Sequence, residues 1–124
     1  MTELAGLPTT GPVSLDTVNG ELSYVTGEKP DRDARVALRV GAVNTWVRAL
    51  PVAGDSLTFG DPPPQWPDHV VLGATMLATR LWRRKDSPSG VEAFTDQGAV
   101  YVSRNDPDVA QLLRIGSYTA PKVG

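Results

Sequence analysis

The side chains of this chain that could do chemistry are few and widely spread. His69 is the only histidine and cysteine is absent, whereas a hydrolytic metal centre needs several His, Cys or carboxylate ligands at suitable spacing. A Ser/His/acid site would have to use that same His69, and no serine sits in the strained glycine turn that presents such a nucleophile. Ser87, Pro88, Ser89 and Gly90 read as loop formers. Asp106 and Asp108 are a carboxylate pair on paper, but with Pro107 between them both read better as groups at a helix start. No glycine-rich loop leads into Lys followed by Ser or Thr, the arrangement that cradles phosphates. Arg83, Arg84 and Lys85 form a short basic run. At a helix C-terminus it complements the dipole, and on a surface it offers contact to DNA phosphates or an acidic partner. The expectation is a protein without catalysis, cofactor or metal.

Composition points the same way. A chain of 124 residues with 40% hydrophobic and 21% charged side chains fits one packed domain. The net charge of −2 argues against sequence-independent duplex binding, which needs several Lys or Arg to displace counterions. No apolar run approaches the ~20 residues that span a bilayer, and Met1 to Pro12 has neither a basic start nor an apolar stretch. Neither membrane contact nor export is therefore expected. The absence of cysteine suits a reducing cytosol. Gly and Pro cluster before Pro30, between Pro51 and Pro67, and after Gly116, which marks 1–30 and 117–124 as arms around a domain at 31–116.

The elements follow from spacing. Leu15, Val18, Leu22 and Val25 recur at helical intervals, with Ser14 as cap and Gly27 as stop. Val36, Val40, Val43, Val47 and Leu50 form one stripe of a helix from about Asp31 to Leu50, ended by Pro51. Ala53 to Trp66, with Pro62, Pro63 and Pro64, reads as a contact loop or spacer. A second long helix runs from about Pro67 to Arg84. Its main stripe is Val70, Ala74, Leu77 and Leu81, but Val71, Ala78, Trp82, Leu72 and Met76 make it apolar on most sides, so it needs cover from more than one partner. Val91 to Phe94 and Ala99 to Ser103 suggest a β-hairpin over 91–103, with Val100 and Val102 on one face and Tyr101 on the other. Asp106 and Pro107 then open a short helix containing Val109, Leu112 and Leu113, with Gly116 as its stop. The expected fold is mainly α: a small bundle of two long and two short helices with a β-hairpin and extended terminal arms.

This order of elements resembles the head-to-tail adaptor (head-tail connector) family of long-tailed bacteriophages over about Pro30 to Gly116. The resemblance rests on Trp66 and Pro67 opening the second helix and on Leu81, Trp82, Arg83 and Arg84 closing it. It continues through Ser87, Pro88, Ser89, Gly90, Val91, Glu92, Ala93 and Phe94, and then through Tyr101, Val102, Asp106, Pro107, Asp108, Val109, Leu112 and Leu113. The resemblance implies a structural virion protein in the neck, assembled in the host cytoplasm as a homo-oligomeric ring, dodecameric like the portal. Such a ring would bind portal protein above and stopper or tail proteins below, and would line the channel for genomic DNA without reading its sequence. The proline-rich loop and the N-terminal arm are less like the family.

The surface expected to meet other subunits places Arg35, Arg39 and Trp46 in one patch and the 91–103 segment, with Phe94 and Tyr101, near a second. Trp82, Arg83, Arg84 and Tyr118 complete the candidate contact residues, because Trp, Tyr and Arg are enriched in interfaces. For Arg35, Arg39 and Trp46 the plain alternative is equally open: two arginines in solvent and a tryptophan widening the core. The rival function is a small bacterial DNA-binding or regulatory helical domain that uses the basic end of the second helix.

Overall fold

A computed structural model describes residues 11–50, 66–85, 94 and 97–115. Within them lie α1 (Leu15–Glu21), α2 (Pro30–Arg48), α3 (Asp68–Arg83), α4 (Gly98–Asn105) and α5 (Pro107–Leu112), and the fold is mainly helical as expected.

The two long helices form where the apolar periodicity places them. Val36, Val40, Val43 and Val47 of α2 and Val70, Ala74, Leu77 and Leu81 of α3 are all buried, and α2 packs along α3. Leu50 falls beyond the helix end at Arg48 and is half-buried against this core. α5 covers another side of α3. Gly73 permits that approach, since a Cβ there would stand 2.9 Å from Leu112 Cβ. α1 packs on α3 as well, so three helices answer the breadth of its apolar arc, while α4 packs on α5 and Phe94, 3% exposed, lies against Trp46 and Tyr101.

Residues 11–29 are no arm. Val13 and Val18 are buried in the common core, and Asn44 of α2 holds the backbone of Val13 at two points. Its Nδ2 donates to the Val13 carbonyl at 2.9 Å, and its Oδ1 accepts from the Val13 N–H at 3.0 Å. Asn19 donates to Thr26 Oγ1 and Asp33 Oδ1, and the Gly27 N–H donates to Asp33 Oδ2 at 2.7 Å. These bonds fasten the turn after α1 to the first turn of α2.

Ser14 caps α1, its Oγ accepting from the Thr17 N–H at 3.1 Å. The helix stops at Glu21, well before Gly27. Ser23 takes φ 61°, and the Tyr24 N–H donates back to the Asn19 carbonyl at 2.8 Å, the Schellman closure usually built on glycine. Val25 consequently leaves the helical stripe and lies 64% exposed. α5 ends in the same way: Arg114 takes φ 55° and the Ile115 N–H donates to the Ala110 carbonyl at 3.0 Å. Gly116, the expected stop, lies outside the described residues.

The hairpin expected over 91–103 is corrected in its second half. Gly98 to Asn105 is helix, not strand. Val102 and Tyr101 turn inward while Val100 is 51% exposed, so the two valines assigned to one strand face part company on a helix. Gly98 is needed at its start because a Cβ there would collide with the Trp46 indole. Val91 to Ala93, the loop 53–65 and the tail 117–124 fall outside the described residues.

Two outcomes test this packing. Leu77→Ala, at a fully buried position, is expected to cost about 2 to 5 kcal/mol. Ser23→Gly and Arg114→Gly are each expected to stabilise by about 1 kcal/mol by removing left-handed strain. Thermal or denaturant melts read both, and a Ser23→Gly protein less stable than the parent would refute the strain argument.

Candidate functional site

The side chains with chemical potential converge at the C-terminal end of α3. Arg80 lies in its last turn and Arg84 is its cap, one turn apart on a helix whose other sides are mostly apolar. Between them sits Asp106, 1% exposed. Arg84 grips it as a fork, with Nη2 donating to Oδ1 at 2.7 Å and Nη1 to Oδ2 at 2.8 Å, while Arg80 Nη1 donates to Oδ1 at 3.0 Å. Arg80 also forks onto Asp108 at 2.8 and 2.7 Å, and Arg84 Nη1 donates to Tyr101 Oη at 3.0 Å.

The electrostatics of this cluster have simple causes. Burial alone would raise the Asp106 carboxyl, but Arg84 and then Arg80 outweigh it and hold it below the ordinary carboxylate value. The Arg80 hydrogen bonds bring Asp108 down to about 2. Arg80 is raised chiefly by Asp108 and Arg84 chiefly by Asp106. Two guanidinium groups thus meet two carboxylates with no net charge left over. The arrangement can brace α3 against the α4–α5 corner, and it offers no ionisable group poised near neutrality for proton transfer.

Asp106 and Asp108 were expected to cap α5 with their side chains. Asp106 does stand at the cap position, with its carbonyl accepting from the Ala110 N–H, but its side chain makes no cap bond because the two arginines hold it. Asp-Pro reads as a cap whichever way the carboxylate turns. The available signal was on α3, where Arg80 and Arg84 interrupt an otherwise apolar arc at one-turn spacing.

The expected contact residues divide into interior and surface. Trp82, 3% exposed, donates from Nε1 to Tyr24 Oη at 3.2 Å. Arg39 and Lys85 lie 5.1 and 4.5 Å from its ring centre, near enough for cation–π attraction. Trp46, half-buried, meets the buried Phe94 edge-on at 5.1 Å, and Phe94 meets Tyr101 at 6.2 Å. Trp82 and Phe94 therefore support the surface from beneath. Arg84 is held by Asp106, which leaves Arg35 and Arg83 as exposed cations of the expected set. Arg39 is partly covered, its Nη1 donating to the Arg35 carbonyl at 2.8 Å. Burial and the neighbouring Arg35 lower its basicity. Tyr118 lies outside the described residues.

His69 joins the framework. It is half-buried in the first turn of α3, with Nδ1 2.8 Å from the Leu112 carbonyl oxygen. A carbonyl can only accept, so Nδ1 carries the proton. Among the described residues no three His, Asp or Glu side chains are grouped to hold a metal ion, and no helix is long and apolar enough to cross a membrane.

The outer surface carries the features that spacing did not reveal. α2 has a second apolar stripe turned away from α3, composed of Ala34, Ala37, Leu38, Gly41, Ala42 and Thr45. Leu38 is 72% exposed, and much of the stripe lines an open groove bounded by Trp46 and Phe94. Leu72 on α3 is 54% exposed and Val100 on α4 is 51% exposed, so large apolar side chains are exposed on three separate helices. No family model matches the chain, and no curated protein or solved structure matches it.

Asp106→Asn is expected to cost about 2 to 4 kcal/mol, since it leaves Arg84 partly buried without its counter-charge and takes from Arg80 one of its two carboxylates. Asp108→Asn, at an exposed site, should cost less than about 1 kcal/mol. Both carboxyls have lowered values in the fold, so their contribution is present above the unfolded value near 4 and is lost as pH falls below it through their folded values, about 2 for Asp108. Stability measured from pH 6 to pH 2 should fall less steeply in Asp106→Asn than in the parent.

Proposed function

We propose that this chain is a structural virion protein, the head-to-tail adaptor of a long-tailed phage, acting as one copy in a ring between the portal and the stopper or tail. The observation that carries the reading is the distribution of large exposed apolar side chains over separate elements, Leu38 on α2, Leu72 on α3 and Val100 on α4. Ring subunits meet head to tail, so each must present two different complementary patches. The motif series from Trp66 to Leu113 supports the same assignment. So does the use of Arg80, Arg84, Asp106 and Asp108 to brace helices, which leaves them unavailable as a convergent polar set around a substrate. In this role the helices form the ring wall. Genomic DNA passes through without sequence-specific contact, and no catalytic step is assigned.

A DNA-binding role would draw on the basic end of α3. Arg84 is committed there to a buried carboxylate and Lys85 lies against Trp82, which leaves Arg83 as the fully available cation of that run.

The experiment is assembly with portal protein. Full-length chain is expected to add to portal as a ring of uniform mass, seen by native mass spectrometry and electron microscopy. A protein lacking Ser117 to Gly124 should keep its helical circular dichroism and dock more weakly. Full-length chain that stays monomeric beside intact portal would overturn the adaptor assignment.

A further inference from the structure

We infer that the outer face of α2 is a two-fold docking surface for α2 of a second copy, running antiparallel. The inference does not depend on the adaptor reading.

Three observations select that occupant. The first is the face itself. At about 100° of rotation per residue, Ala34, Ala37, Leu38, Gly41, Ala42 and Thr45 share one side of α2, opposite the buried stripe of Val36, Val40, Val43 and Val47. They follow the interval pattern that a helix presents to another helix. Most line an open groove, and none is charged.

The second observation is charge. The stripe is flanked at its N-terminal end by Asp31 and at its C-terminal end by Arg48, both exposed and on opposite edges of it, about 100° apart around the axis. They stand about 26 Å apart along the axis. Among the described residues neither makes an ion pair. An antiparallel copy brings Asp31 opposite the second Arg48 and Arg48 opposite the second Asp31. A parallel copy would set like charges together.

The third observation is shape in that same register. With Asp31 opposite Arg48, Leu38 faces Gly41 of the other copy, Ala37 faces Ala42, and Ala34 faces Thr45. The one large side chain of the stripe meets its one glycine, twice by symmetry, and nothing within 4 Å occupies the space where a Cβ on Gly41 would point. Charge register and knob-into-hole register therefore coincide, and the small residues allow the close approach of axes that helix pairing requires.

A two-fold contact closes on itself and adds no further copies. In a chain that also forms rings, the pair is thus a state of the free protein, with Arg35 and Arg39 beside the occluded face.

The test is the mass of the full-length protein in solution by sedimentation equilibrium. A dimer is expected, weakened about tenfold or more by Leu38→Gln. Leu38 is already exposed, so its helical circular dichroism should not change. Asp31→Arg and Arg48→Asp should each weaken the dimer, while the chain carrying both changes should regain it, because the swapped charges face each other again. Recovery in the double variant supports the antiparallel register. A monomer at every concentration, an oligomer indifferent to Leu38→Gln, or a double variant weaker than either single one would each overturn the proposal.

Discussion

A carboxylate taken out of water must be matched by positive charge, and Asp106 sets that demand where α3 meets the α4–α5 corner. It sits between two guanidinium groups on one helix. Meeting it fixes where α3 ends, where the α4–α5 corner lies and how Tyr101 is oriented. Removing one partner from such a cluster is much more costly than replacing the whole cluster with apolar groups. The cluster is therefore better understood as a specifier of one arrangement than as a large source of stability. Most of the stability resides in the valine and leucine stripes of α2 and α3.

Those stripes were legible because long helices repeat their burial signal over many turns. Val36 to Val47 and Val70 to Leu81 could hardly be placed otherwise. Short elements carry no such redundancy. Val100, Tyr101 and Val102 alternate like a strand over too few residues to separate two-residue from helical periodicity. On α4 the burial of Tyr101 and Val102 follows the helical period, and Gly98 is fixed by the Trp46 ring. α1 was legible from Ser14, but its end was not, because a serine rather than a glycine takes the left-handed turn.

The chemistry of Asp106 was hidden for a different reason. Local sequence reports what neighbours can do for one another, and Asp-Pro is an excellent helix start. The partners of its side chain lie 22 and 26 residues away, where only the fold brings them together. The same holds for Asn44, which reads as an ordinary polar residue inside a helix. Its role as a clamp on Val13, 31 residues earlier, has no local signature. The contact residues were chosen by type, and burial then divided them: Trp82 and Phe94 inward, Arg35 and Arg83 outward.

One feature of α1 bears on chemical ageing. Asn19 is followed by Gly20, the pairing in which a backbone nitrogen most readily attacks the neighbouring amide and converts asparagine to an acid. In the fold Asn19 is 1% exposed, the helical backbone holds that nitrogen away, and the amide is engaged with Asp33 and Thr26. Conversion would set a carboxylate against the carboxylate of Asp33 and release α1. The reaction thus proceeds chiefly in molecules whose α1 has already come away, and each conversion prevents redocking. Conversion at Asn19 is accordingly limited by how often α1 lifts from the core that Val18 helps to fill.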